Sequence, residues 1–188
     1  SFLDSKSIPD LSKYNNIHIV ACGSAYHAGL VGKYLIEKYA KIPVCVEVAS
    51  EYRYKHNFYD EKTLVIFVSQ SGETADTLAC LKKVKEDGID TLAIVNVVGS
   101  SAAREAKYVM YTKAGCEIAV ATTKAYLAQL TTFIAITMHL TNNKKLLKEI
   151  KTIPTLIEQL INKDYKMIAK SIYKNKDIFF IGRGIDYS

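Results

Sequence analysis

Three short polar segments hold the residue types from which a site for a small anion is made: Cys22 to Ser24 (CGS), Ser69 to Thr74 (SQSGET) and Glu117 to Lys124 (EIAVATTK). In SQSGET the hydroxyls of Ser69, Ser71 and Thr74, the Gln70 amide and the first backbone N–H groups of a following helix can converge on one phosphate-sized group. Those N–H groups lack intrahelical acceptors and lie at the positive end of the helix dipole. The segment contains no lysine or arginine, so it reads as a phosphate cradle without a cation. A capping box accounts for part of the same pattern, with Ser71 as N-cap and Thr74 at the N3 position. That explains one hydroxyl well and leaves the rest of a six-residue insert unexplained, so the two readings stand side by side. Glu73, the one acid inside SQSGET, is expected at the second position of the helix, serving its dipole rather than a proton transfer. In EIAVATTK, Thr122 or Thr123 either caps the helix that follows or meets a ligand at the same edge.

Other chemistries find no support in the sequence. The next glycine after Gly23 is Gly29, so the dinucleotide fingerprint is absent and no cofactor is expected. Cys22, Cys45, Cys80 and Cys116 are too widely spaced for a zinc or CxxC pattern and read as reduced thiols. Residues 22–26 (CGSAY) resemble the nucleophile segment of papain-like proteases, but Ala25 replaces the second cysteine and Cys22 follows an apolar run, so a cysteine nucleophile is not expected. His18, His27, His56 and His139 are scattered with no paired ligand spacing, so no metal is expected, and His27 reads as an exposed helix residue.

The elements that must position these segments follow from hydrophobic periodicity. Residues 16–21 (NIHIVA) form an apolar run ending at Gly23, and residues 25–39 then repeat apolar positions at Ala28, Val31, Leu35 and Tyr39, which is strand, turn and helix. The pattern recurs: strand 44–48 with a short helical piece around 50–54, then strand 63–68 with a helix over 74–87 ended by Gly88. Strands are also expected at 91–97 and 108–112. Their near-continuous apolar character is that of strands covered on both faces by helices, so the expected fold is an α/β, three-layer αβα sandwich with a mostly parallel sheet. Residues 125–140 (AYLAQLTTFIAITMHL) read as a helix buried in protein, either in the core or at an interface. An amphipathic stripe from Leu146 to Ile161 is broken near Pro154, a last helix carries Tyr165, Ile168 and Ile172, and residues 177–181 (DIFFI) are expected as a strand leading into Gly182 and Gly184. That ending repeats how the first strand opens into Gly23, as if a second copy of the unit began there.

Of the 188 residues, 49% are apolar and 23% charged, enough for a proper core and incompatible with a disordered chain. The net charge of +6 arises between residues 141 and 176, where nine lysines meet three acids at helical spacing. That is a solvated helix face rather than a nucleic-acid surface. The apolar stretch 125–140 is shorter than a membrane span and carries Gln129, three threonines and His139; residues 1–10 lack the form of a signal peptide. No membrane or nucleic-acid partner and a cytoplasmic location are therefore expected.

The segments ACGSAYHAG (21–29), VEVASEYRY (46–54), SQSGETADTL (69–78), NVVGSSAAREA (96–106) and AGCEIAVATTKAY (114–126), in that order and spacing, resemble the sugar isomerase (SIS) domain family. Within it the resemblance is to the first isomerase domain of the isomerising glutamine–fructose-6-phosphate aminotransferases, which make glucosamine 6-phosphate. The resemblance implies a flavodoxin-like, five-stranded parallel domain that binds fructose 6-phosphate, glucose 6-phosphate or glucosamine 6-phosphate. The phosphate would lie against Ser69, Gln70, Ser71 and Thr74, beside Cys22, Gly23 and Ser24; Thr122 and the backbone near Val120 would face the sugar. Ala25 stands where a second hydroxyl is common in the family, and Thr122 where serine is. The implied division is a first SIS domain over 1–150, a helical connector over 151–176 and the start of a second SIS domain over 177–188. The ammonia-releasing glutaminase and the ring-opening histidine, imine-forming lysine and proton-moving glutamate of the second SIS domain would lie elsewhere in the full polypeptide, and a homodimer is expected. Consistently, an aldose–ketose conversion needs a general base near C1 and C2, and none of the three segments offers a carboxylate and histidine pair, so no catalytic residue is expected in this stretch. The alternatives are another sugar-phosphate isomerase or deglycase with two SIS domains, or a phosphosugar-sensing module. A DNA-binding sensor would need a helix-turn-helix, which residues 1–16 do not provide.

Overall fold

Five apolar runs form one all-parallel sheet in the computed structural model, which describes residues 9–118, 122–141 and 143–188. The strands are β1 (Asn16–Ala21), β2 (Val44–Val48), β3 (Thr63–Ser69), β4 (Asp90–Val95) and β5 (Tyr108–Tyr111), in the order β2-β1-β3-β4-β5. Between them run α1 (Ser24–Ala40), α2 (Ala49–Tyr52), α3 (Ala75–Glu86) and α4 (Ser101–Glu105), and α5 (Lys124–Thr141) follows β5. Successive side chains of a strand point to opposite faces, so a strand apolar at every position feeds two cores. On one face Ile17, Ile19, Leu64, Ile66, Leu92 and Ile94 pack with Ala28 and Ile36 of α1 and Phe133 and Ile136 of α5. On the other, Val20, Val65, Phe67, Ala93 and Val95 pack with Tyr52 of α2, Cys80, Leu81 and Val84 of α3, and Ala102 of α4. The αβα sandwich is thus the one the sequence pattern describes, with the doubly wound order of the flavodoxin-like class.

The helix read as either core or interface contributes to the core: Phe133 and Ile136 of α5 are fully buried. Its closeness to α1 depends on Gly32, where a Cβ would lie 2.5–2.9 Å from the Phe133 ring. The threonines that interrupt its apolar run return their hydroxyls to the carbonyls four residues back, Thr132 to Ala128 at 2.8 Å and Thr137 to Phe133 at 2.9 Å.

At the amino edge of the sheet, away from the polar loops, Asp90 accepts from Tyr14 Oη at 2.5 Å, Lys107 Nζ at 2.6 Å and Lys13 Nζ at 3.1 Å. Burial acts to raise the Asp90 pKa, but these three donors overcome it and hold the carboxyl down at about 2. A folded-state value below the unfolded one, about 3.9, means that its contribution is present in full above pH 4 and lost as pH falls toward 2. Asp90→Asn is therefore expected to lower the unfolding midpoint at pH 7, with the variant and parent midpoints converging near pH 2 in an acid titration followed by circular dichroism.

A second compact unit follows residue 141, with α6 (Lys144–Ile150), α7 (Ile153–Ile161) and α8 (Lys166–Ile172). The stripe breaks where expected, Pro154 lying in the first turn of α7, a position that needs no backbone donor. All nine lysines between 141 and 176 are exposed. Residues 177–181, expected as a strand, form none, and Phe179, Phe180 and Ile181 are 85–96% exposed. A strand exists only where a neighbouring strand takes its backbone hydrogen bonds, and this segment pairs with none of the five. Among the described residues, no helix is long and apolar enough to cross a membrane.

Candidate functional site

The chain passes from β1 to β2 on one side and returns to place β3 on the other side of β1, so the strand order reverses between β1 and β3. Open parallel sheets leave a crevice at such a switch point, outside the carboxyl ends of the two strands. Their register pairs Ala21 with Val68, which sets the CGS turn and SQSGET side by side across that crevice. A cleft of about 160 Å³ opens there, lined by Cys22, Ser24, Ala25, Val68, Ser69, Gln70, Ser71, Thr74 and Gln129. Gly23, between Cys22 and Ser24, is the N-cap residue of α1. The cleft therefore sits at the starts of both α1 and α3, whose unpaired first-turn amides favour an anion.

SQSGET is fixed by hydrogen bonds within it and to the next loop. Ser69 Oγ accepts from the Gly72 amide at 3.0 Å and shares a hydrogen bond of 3.0 Å with Thr74 Oγ1; Ser71 Oγ accepts from the Glu73 amide at 3.1 Å. The Gln70 carbonyl accepts from the Asn96 amide and the Gly72 carbonyl from the Ala102 amide, both at 3.0 Å. Glu73 Oε1 accepts from the Ser101 amide at 2.7 Å, and that backbone bond holds its carboxyl below the usual carboxylate range. Gly72 has φ +68°, and a Cβ there would overlap Ser100 Oγ and lie 2.6 Å from Ser100 Cβ. The capping-box reading fails here, because α3 begins only at Ala75 with Thr74 as N-cap and no side-chain capping bond. Gly72 cannot be helical at a positive φ, which delays the helix and leaves Ser71 and Thr74 in the loop that lines the cleft. Glu73 likewise lies outside α3, and the helix start it serves is that of α4.

The third segment differs from expectation. The α5 start is met by Glu117, whose Oε2 accepts from the Ala125 amide at 3.1 Å. Thr122 is half-buried and is not among the residues lining the cleft, while Val120 lies outside the described residues. The residue the sequence reading missed is Gln129, used there only as a polar interruption of an apolar helix. Its signal was present: a lone amide little more than one turn into a helix that starts near the binding edge.

No lysine or arginine lines the cleft among the described residues, and no histidine or carboxylate does either. His27 is exposed as expected. His18 is buried in β1 with Nδ1 3.0 Å from Tyr52 Oη, and burial keeps it below its ordinary pKa, so it is a satisfied core residue. The four cysteines are free. Among the described residues no group of three or more acidic, cysteine or histidine side chains could hold a metal. The arrangement can bind and orient an anion through neutral donors.

Sheet order and cleft together define a doubly wound α/β domain with a polar cleft at its switch point. The SIS domain family model matches residues 10–138. The chain is 51% identical over 189 residues to the glutamine–fructose-6-phosphate aminotransferase [isomerizing] of Clostridium tetani, covering 95% of this chain and 31% of that protein, and 41% identical to the Aquifex aeolicus protein of the same name, covering 94% and 30%. Among solved structures it superposes on the C-terminal domain of the glucosamine-fructose-6-phosphate aminotransferase of Francisella tularensis with a TM-score of 0.87 and 39% identity, covering 95% of this chain and 54% of that one. This chain belongs to the SIS domain family. It spans about a third of the length of the curated relatives it matches.

Proposed function

We propose that the cleft binds the phosphate of a hexose phosphate, and that the chain is the first isomerase domain of an isomerising glutamine–fructose-6-phosphate aminotransferase. The observation that carries the reading is the convergence of Ser24, Ser69, Gln70, Ser71 and Thr74 with two helix starts on one small cleft. A phosphate ester is an acceptor through all its free oxygens, and a wall of donors is its complement. With Gly72 N–H already donating to Ser69 Oγ, Ser69 can donate to Thr74, which leaves the Thr74 proton directed to the ligand. Cys22 and Gly23 shape the wall from β1, and Thr122 with the backbone near Val120 would face the sugar. The fructose 6-phosphate, glucose 6-phosphate or glucosamine 6-phosphate held there is acted on by residues of a second SIS domain, with ammonia from a glutaminase, both elsewhere in a longer cytoplasmic polypeptide that dimerises. Residues 1–150 are the binding domain, 151–176 the connector and 177–188 the beginning of the second domain.

Thermal unfolding tests the binding half directly. Ligand that binds only the folded chain raises its midpoint by mass action, and tenfold excess over Kd corresponds to about 4 °C for a domain of this size. Fructose 6-phosphate and glucose 6-phosphate are expected to produce such a shift, and glucose none. Ser71→Ala with Thr74→Ala is expected to remove it, since hydrogen bonds to a charged group contribute about 1.5–3 kcal/mol each. A phosphosugar shift that survives the double substitution would put the phosphate elsewhere.

A further inference from the structure

Gln129 is the exception on the buried face of α5. It is 2% exposed, and its Oε1 has no hydrogen-bond partner among the described residues, whereas Thr132 and Thr137 on the same face return their hydroxyls to the helix backbone. Buried amide oxygens are rarely left without a donor, because the desolvation cost stays uncompensated. The residue that carries it, Gln129, belongs to the lining of the cleft, beside Ser24, Ser69, Ser71 and Thr74. Those neighbours offer donors suited to a phosphate dianion, and a carbonyl oxygen is the wrong partner for an oxyanion. It is the right partner for a hydroxyl.

We propose that Gln129 is a ligand-binding residue whose Oε1 accepts a hydrogen bond from a sugar hydroxyl, so that α5 reads the sugar while SQSGET reads the phosphate. The inference rests on the cleft being a phosphosugar site. It implies that the free protein tolerates an unsatisfied acceptor which only the bound ligand completes, a local sacrifice of stability for recognition. An apolar side chain of similar volume is then expected to leave the empty protein as stable or more stable while weakening the complex, two effects of opposite sign.

The test is calorimetric titration of the 188-residue chain, Gln129→Met and Gln129→Leu with glucose 6-phosphate and with inorganic phosphate, alongside unfolding without ligand. The expected result is an unchanged or raised midpoint, glucose 6-phosphate affinity down by about fivefold, and inorganic phosphate affinity unchanged. Unchanged glucose 6-phosphate affinity would overturn the proposal, leaving a water as the partner of Oε1. Equal losses for both ligands would overturn it in favour of an amide contact to the phosphate, and loss of cooperative unfolding in both variants would make the amide structural. If the parent bound neither ligand, the phosphosugar reading itself would fall and this inference with it.

Discussion

Gly72→Ala is expected to lower the unfolding midpoint by about 10 °C and to abolish the phosphosugar-dependent shift. Two costs add at this position. Alanine at φ +68° occupies a region that L side chains avoid, and its Cβ would run into Ser100 Oγ and Cβ, which are held in the turn leading into α4. Strain and overpacking of this kind together amount to about 3 kcal/mol. Relief requires the loop to move away from α4, which breaks the Gly72–Ala102 and Glu73–Ser101 hydrogen bonds and carries Ser71 and Thr74 off the cleft. The measurement is a pair of unfolding curves with and without glucose 6-phosphate. A variant that unfolds at the parent temperature and still responds to ligand would show the loop to be far less constrained than these contacts imply.

Phe133→Ala is expected to cost about 4 kcal/mol, because the ring is fully buried between α1 and the sheet and its removal leaves a cavity. The more discriminating experiment couples it to Gly32. Alone, Gly32→Ala drives a methyl group to within 2.5–2.9 Å of the Phe133 ring and is expected to destabilise. In the Phe133→Ala background the obstruction is gone, alanine is favoured over glycine in a helix by about 1 kcal/mol, and the methyl enters the cavity, so the same substitution is expected to stabilise. A double-mutant cycle in denaturant reads that reversal of sign; additive effects would mean that α1 and α5 do not meet at this pair.

The strands were legible to within two residues because each is a largely apolar block bounded by turn signals, and in β1, β3 and β4 that block is itself the physical cause of burial on both faces. The positions of Cys22 to Ser24 and Ser69 to Thr74 at one edge were legible for the same reason, since strand ends are fixed by the blocks. What escaped was set by contacts distant in sequence. Glu73 meets a helix start 28 residues away, and Glu117 takes the cap assigned to Thr122 or Thr123; local spacing carries no trace of either. The start of α3 was legible to one residue, and only the capping-box alternative failed, at Gly72, whose positive φ and close approach to Ser100 no local spacing reveals. Residues 177–181 have every intrinsic property of a strand and lack only an edge to pair with. Gln129 read only as a polar interruption of a buried helix, because its place in the cleft lining depends on residues of the first and third strands' loops, more than fifty positions away in sequence.

A cleft that, as proposed, holds a phosphate with dipoles alone, no fixed positive charge lining it among the described residues, has little reach into solution. It does not gather anions from a distance, so nucleotides and inorganic phosphate gain no general advantage at its mouth. Discrimination is deferred to contact, where hydroxyl spacing and cleft size decide, and a departing phosphate leaves without an ion pair to break. On the proposed function, such a site is suited to passing a sugar phosphate on rather than storing it.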